Sequence, residues 1–176
     1  MSQTQTISTI DLTDYTDGGS LSRSRLVKTL GEGLVEFGFL NVEGHGVDSG
    51  LVRSTYELWR RFFALPEETK RKYAGVAGGA LAYTPFRVEH AKDSPEPDLK
   101  EFWHVGQEPP SGHPLAGAYP GNVWPAEILE LREPTLLLYK SLERVAASLL
   151  RALAEYFELP RETFASMMQV GNSVLR

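Results

Sequence analysis

Four histidines, His45, His90, His104 and His113, are the side chains in this sequence best suited to hold a metal. Two histidines and one carboxylate on one face, with open positions for substrate and oxygen, make the pattern that supports non-haem iron chemistry. The strand form of that pattern places a carboxylate two residues after a histidine. Here Val47, Lys92, Gly106 and Leu115 stand at those positions, and none is a carboxylate. Asp48 and Asp93 follow His45 and His90 at a helical spacing, but both pairs lie in turn-like sequence. The spacing therefore assigns no metal ligand. His45, between Gly44 and Gly46, reads as a turn residue whose imidazole bonds backbone groups. His104 reads as a strand residue packed beside Trp103.

Other chemistries lack their residues. The chain has no cysteine, which removes disulfides, zinc-cysteine sites, iron-sulfur clusters and thiol nucleophiles. No Gly-x-Ser-x-Gly elbow is present, so Ser/His/Asp hydrolysis has no nucleophile. No phosphate loop ends in Gly-Lys-Ser/Thr, and Gly75, Gly78 and Gly79 are too loosely spaced for a dinucleotide fingerprint. Glu67 and Glu68 follow Pro66, which makes them helix-start residues by position rather than an acid-base pair.

The 176 residues are 41% hydrophobic and 23% charged, with a formal net charge of -5, an ordinary balance for one soluble domain. An acidic chain argues against nucleic acid, which calls for a basic stripe. Arg60, Arg61, Lys70, Arg71 and Lys72 do cluster, but Glu67 and Glu68 interrupt them, and the run reads as a solvated helical face. Met1 to Thr9 has no basic run followed by an apolar stretch, and no apolar run approaches the ~20 residues of a membrane span. A cytoplasmic chain fits these features.

Hydrophobic spacing predicts the elements that would carry any site. Ile7 to Leu12 is a first strand ending in a turn. Leu26, Leu30 and Leu34 mark a helix over Ser22 to Phe37, stopped at Gly38. Gly31 and Gly33 weaken that helix, so packing must favour it. Phe39 to Val42 is a strand and Gly44-His45-Gly46 a tight turn. A second helix, capped by Asp48 or Ser49, runs to about Ala64, with Leu51, Leu58, Phe62 and Leu65 near one face. From Ala74 to Pro125 the helical period disappears. Strands are expected near Tyr83–Arg87 and Glu101–Val105, with loop elsewhere; such long irregular stretches are often functional. Leu131, Leu138, Leu142, Val145, Leu149 and Leu153 form the stripe of a long helix, in which Pro134 must sit near the start or make a kink. A short helix follows over Pro160 to Met168. A strand opens over Asn172 to Arg176 with no later segment here to receive it, as in a fragment of a longer chain.

Several segments resemble, in order, the N-terminal region of the isopenicillin N synthase-like oxygenases. They are Ile7-Ser-Thr-Ile-Asp-Leu12; Glu36-Phe-Gly-Phe-Leu-Asn-Val-Glu-Gly-His-Gly-Val47; Arg61-Phe-Phe-Ala-Leu-Pro-Glu-Glu-Thr-Lys70, followed by Tyr73; Tyr83-Thr-Pro-Phe86; Asp98-Leu-Lys-Glu-Phe-Trp103; Asn122-Val-Trp-Pro125; and Phe157-Glu-Leu-Pro160. The likeness runs from Ile7 to Arg176. Ala82 departs from it, standing where the family often has glycine.

The resemblance implies an α+β fold: a helical N-terminal layer and the partial sheet of a double-stranded β-helix (jelly-roll), incomplete in this chain. It implies a non-haem iron(II), 2-oxoglutarate-dependent dioxygenase acting on a small molecule with molecular oxygen, by hydroxylation, desaturation or cyclisation. A few members use no 2-oxoglutarate. The family's iron and 2-oxoglutarate ligands lie later, so no residue here is carried over to either. The loop around Tyr83–Arg87 approaches the substrate pocket in related enzymes, which makes Tyr83, Phe86 and Arg87 the candidate substrate residues. Arg87 would pair with a substrate carboxylate, or else stand exposed or bridge to Glu89 or Glu101. Tyr83 and Phe86 are otherwise core aromatics. If 176 residues is the whole chain, the alternative is a non-catalytic scaffold or partner-binding module using its open sheet edge.

Overall fold

In a computed structural model of the chain, residues 6–75, 81–113, 120–169 and 171–176 are described; Gly78, Gly79 and Leu115 lie outside them. The chain divides into two compact units, Met1–Asp48 with Lys140–Gln169, and Ser49–Tyr139 with Val170–Arg176.

The first unit opens with β1 (Thr9–Asp11) and a single turn of helix α1 (Thr13–Thr16), then α2 (Ser20–Phe37) and β2 (Asn41–Glu43). Asp11 launches α1: its Oδ1 accepts the Thr13 N–H at 3.0 Å and the Thr13 hydroxyl at 2.7 Å. These bonds hold the Asp11 carboxyl below its ordinary value. Strands β1 and β2 run parallel, pairing Thr9 with Asn41 and Asp11 with Glu43, and α2 is the crossover that parallel pairing requires. The second strand starts later than the expected Phe39. Gly38 ends α2 in the left-handed region, its N–H reaching Leu34 O at 3.0 Å, so Phe39 falls in the connection and is 57% exposed.

Ile10, Leu12, Tyr15, Leu26, Leu30 and Ala152 form the buried core of this unit. Packing explains the glycines of α2, as expected. A Cβ on Gly31 would overlap the Tyr156 ring, and one on Gly33 would meet Ser8 Cβ at 3.3 Å. The Tyr15 hydroxyl donates to Glu155 at 2.6 Å, and Arg23 donates to both oxygens of the same carboxylate. This holds Glu155 below its ordinary value, with the Arg23 bond as the main cause.

The second unit contains α3 (Ser49–Phe63), α4 (Glu67–Arg71), β3 (Tyr83–Thr84), β4 (Phe102–Trp103), β5 (Val105–Gly106), a 3-10 turn at Leu129–Leu131 and β6 (Val174–Leu175). Its core is aromatic. Phe62 is fully buried and meets the rings of Trp103, Trp59 and Tyr83 edge-on, with centroids 5.0, 5.8 and 5.9 Å away. Helix α5 (Arg132–Tyr156) begins in this unit and ends in the first; α6 (Thr163–Met168) follows it. Pro134 sits in the first turn of α5, where its missing N–H would have had no helical acceptor. The expected stripe of α5 holds except at Leu142, which is 41% exposed.

The final strand corrects one expectation. Val174–Leu175 does find a partner, pairing antiparallel with β5 (Val105↔Leu175, Gly106↔Val174). Among the described residues the helices accompany three two-stranded sheets, β1-β2, β3-β4 and β5-β6, and none closes.

Candidate functional site

Between β3 and β4, where the sequence predicts strand and then loop, the second unit has an irregular hairpin arm. At its base Tyr83 pairs with Trp103 and Thr84 with Phe102. Above them Arg87 N–H donates to Asp98 O at 3.1 Å, and Asp98 N–H to Glu89 O at 2.8 Å. His90 and Pro97 form a further antiparallel bridge. Ser94 N–H reaches Ala91 O at 3.0 Å to close the tip, where Asp93 takes a φ of 64°.

The base is held by a buried polar cluster. Lys70 is only 5% exposed. Its Nζ donates to Glu101 Oε2 at 2.7 Å and to Phe63 O at 3.1 Å. The Tyr83 hydroxyl donates to the same Glu101 oxygen at 2.5 Å. Tyr83 is 2% exposed, and burial, followed by the Glu101 bond, pushes its phenol well above the usual tyrosine range. Lys70 is thus not part of the solvated face on which the sequence placed it; Arg71, which pairs with Glu67 at 2.9 Å, is. Lys70, Tyr83 and Glu101 each belong to a different one of the segments that carry the family resemblance, and that was the available signal.

The three candidate substrate residues separate. Tyr83 lies inside, with its hydroxyl committed to Glu101. Phe86 is 42% exposed, not a core ring, and the exposed Arg87 adjoins it. The expected strand stops at Thr84, because the chain turns at Phe86 and Arg87. Arg87 has a φ of 64°, a left-handed conformation that costs a non-glycine residue roughly 1–2 kcal/mol. Such outliers gather at ligand-contacting positions. Neither ion pair considered for Arg87 forms. Glu89 is bound by Lys100 at 3.1 Å and Arg176 at 2.9 Å, and Glu101 by Lys70. Among the described residues the Arg87 guanidinium has no carboxylate partner.

A second device lies beside the arm. The Asn122 carboxamide accepts Gly106 N–H at 2.8 Å and donates to Gly106 O at 2.9 Å, the two bonds a strand residue would make. It also donates to Glu108, which Arg132 binds at 2.6 Å.

Two of the histidines have structural roles. His45 Nδ1 accepts the Val47 N–H at 3.0 Å, the backbone-bonding role expected of it. Gly44 and Gly46 both have positive φ, and a Cβ on Gly44 would overlap Asp11 Oδ1. His104 falls between β4 and β5, its ring 4.7 Å from that of Phe102. Among the described residues no three of His, Asp and Glu come together to hold a metal. The donors present do not fit an iron(II) site.

Comparison with known proteins places this geometry. The family model for the N-terminal region of the non-haem dioxygenase in morphine synthesis matches residues 7–127. Validamycin A dioxygenase of Streptomyces hygroscopicus subsp. limoneus is 31% identical over 170 residues, covering 93% of this chain and 46% of that protein. The 2-oxoglutarate-dependent dioxygenase traH of Penicillium crustosum is 32% identical over 160 residues, covering 84% and 47%. A Caulobacter crescentus crystal structure, described as a 2OG-Fe(II) oxygenase family protein, superposes with a TM-score of 0.84 at 38% identity, over 97% of this chain and 55% of that one. A full-length Neurospora crassa protein in complex with alpha-KG shares the fold, with a TM-score of 0.80 at 20% identity over 99% and 54%. The chain spans about half the length of the curated relatives it matches. Its helices and unclosed sheets are those of an incomplete double-stranded β-helix, and the chain belongs to the 2OG/Fe(II)-dependent dioxygenase superfamily.

Proposed function

We propose that this protein oxidises a small-molecule substrate with iron(II), 2-oxoglutarate and molecular oxygen, by hydroxylation, desaturation or cyclisation. Iron(II) and 2-oxoglutarate supply the oxidant when bound. In this reading their ligands are supplied from outside the residues described here, whose donors do not fit the metal; the chain spans about half the length of its curated relatives. This chain contributes substrate recognition. The observation that carries the reading is the Phe86–Arg87 turn, where an exposed ring and, next in sequence, a guanidinium with no carboxylate partner among the described residues lie on an arm with a buried base. A guanidinium of that kind pairs bidentately with a carboxylate, and the adjacent ring covers an apolar body. Tyr83 supports the turn from inside. Such residues orient the substrate and keep water from the oxidant.

The test begins with the intact mass of the protein in its source cell. A mass well above that of the 176-residue chain is expected, together with iron-dependent conversion of 2-oxoglutarate to succinate. A panel of aromatic and aliphatic carboxylates is then screened for stimulation of that turnover. Arg87→Ala should raise the KM for the best stimulating carboxylate more than it changes uncoupled 2-oxoglutarate turnover. The 176-residue chain alone should take up no stoichiometric iron(II) with 2-oxoglutarate under anaerobic conditions, read by the metal-to-ligand absorption band. A mass equal to that of the chain, with no turnover, would overturn the oxidative reading in favour of a scaffold.

A further inference from the structure

We infer that Arg176 is a positioning residue for the Phe86–Arg87 turn, acting through Glu89 and Phe102. The inference rests on the reading that this turn meets the substrate. Arg176 follows β6, which pairs with β5, and its guanidinium touches both limbs of the arm. On the outgoing limb it donates to Glu89 Oε2 at 2.9 Å. On the returning limb it lies over the Phe102 ring, 3.7 Å from the centroid. A planar guanidinium satisfies both demands at once, stacking through its face and bonding through its edge, a geometry that a compact ammonium reproduces only in part.

The connection from Arg176 to Arg87 is short. Glu89 holds the Asp98 N–H with its carbonyl, and the Asp98 carbonyl holds the Arg87 N–H. Lys100 supports the same frame, bonding Glu89 at 3.1 Å and Asp98 at 2.5 Å. Arg176 differs from Lys100 in where it comes from. Lys100 belongs to the arm, and its bonds hold the two limbs only to each other. Arg176 comes from outside the arm and fixes it against the β5-β6 sheet. Arg87 is held in a left-handed conformation that has alternatives nearby, so a loosened frame would release it. The proposed role is therefore to set the direction of the Arg87 side chain without touching substrate.

The experiment uses the full-length polypeptide and two independent readouts. Amide hydrogen exchange at Arg87 and Asp98 should quicken at least three-fold in Arg176→Ala, with the Lys70 and Glu101 amides unchanged. Arg176→Lys should restore part of that protection through Glu89, and Glu89→Gln should reproduce much of the loss. The second readout is the KM for the best stimulating carboxylate of the panel, which should rise several-fold in Arg176→Ala with uncoupled 2-oxoglutarate turnover unchanged. Unaltered exchange at Arg87 and Asp98 overturns the inference whatever the panel gives. An Arg87→Ala variant with unchanged KM instead sinks the substrate reading, leaving the exchange result to stand by itself.

Discussion

The Lys70 ammonium and the Glu101 carboxylate meet at 2.7 Å although 31 residues separate them, with side chains only 6% and 14% exposed. A pair so withdrawn from water is expensive to break, because the survivor stays buried without its counter-charge. Lys70→Met should therefore destabilise the protein by about 3–5 kcal/mol. Replacing the whole cluster, as Lys70→Met with Glu101→Leu and Tyr83→Phe, should recover most of that loss, since apolar groups of similar volume need no partner. Urea unfolding of the single and triple variants decides the matter. A triple variant no better than Lys70→Met would show that the site needs its charges rather than its volume.

Tyr83 gives the cluster an alkaline limit. Its folded pKa is raised above the ordinary value of 10.0 by burial and by the bond to Glu101. A raised folded value means the stabilising contribution is complete below the unfolded pKa and declines as pH rises above it. Between the unfolded and folded values, stability should fall by about 1.4 kcal/mol per pH unit. Tyr83→Phe should flatten that limb of the stability profile while losing about 1 kcal/mol at neutral pH for the missing bond. Unfolding midpoints measured from neutral pH to above 10 would test it, and an unchanged slope in Tyr83→Phe would assign the alkaline loss to another tyrosine.

Gly31 sits in α2 at a position where alanine is normally better by about 1 kcal/mol. Here the Cβ would enter the Tyr156 ring. Gly31→Ala should accordingly destabilise by about 1–3 kcal/mol, the usual range for overpacking. The clash is specific, so Gly31→Ala should become far less harmful in a Tyr156→Ala background. Thermal unfolding of the four proteins in this cycle measures the coupling, and simple additivity would refute the steric account.

The same residues mark what could be read from the sequence. The apolar stripes of α2, α3 and α5 are local and periodic, so their positions were legible, as was the stop at Gly38. The His45 turn was legible because the flanking glycines admit the positive φ that a tight turn needs. Lys70 was not, because its position beside Arg71 and Lys72 is that of a surface cation; its burial follows from a partner in a distant segment. The arm was equally hidden. Its frame consists of single hydrogen bonds between irregular residues, such as Arg87 to Asp98, which impose no alternation. The partner of β6 lies far earlier in the chain, in a strand too short to carry a pattern of its own. Tyr83, Phe86 and Arg87 were put forward through family resemblance alone; the backbone has Phe86 and Arg87 at the surface and Tyr83 within.

Asn122 offers the sharpest test of a side chain replacing a strand. Its carboxamide supplies one acceptor and one donor to Gly106, and a third bond to Glu108. Asn122→Ala removes all three and should destabilise by about 2–3 kcal/mol, at roughly 1 kcal/mol per bond. Asn122→Asp keeps the shape and the acceptor for Gly106 N–H, but it sets a carboxylate oxygen against Gly106 O and Glu108. At neutral pH it should therefore be at least as harmful as alanine, although it is nearly isosteric. The two substitutions separate explanations that a single one would confuse. If Asn122 merely fills space, the aspartate variant should behave like the native protein and only alanine should lose stability. If the paired donor and acceptor matter, both should fall, and amide exchange at Gly106 should quicken most in Asn122→Ala, where its acceptor is gone.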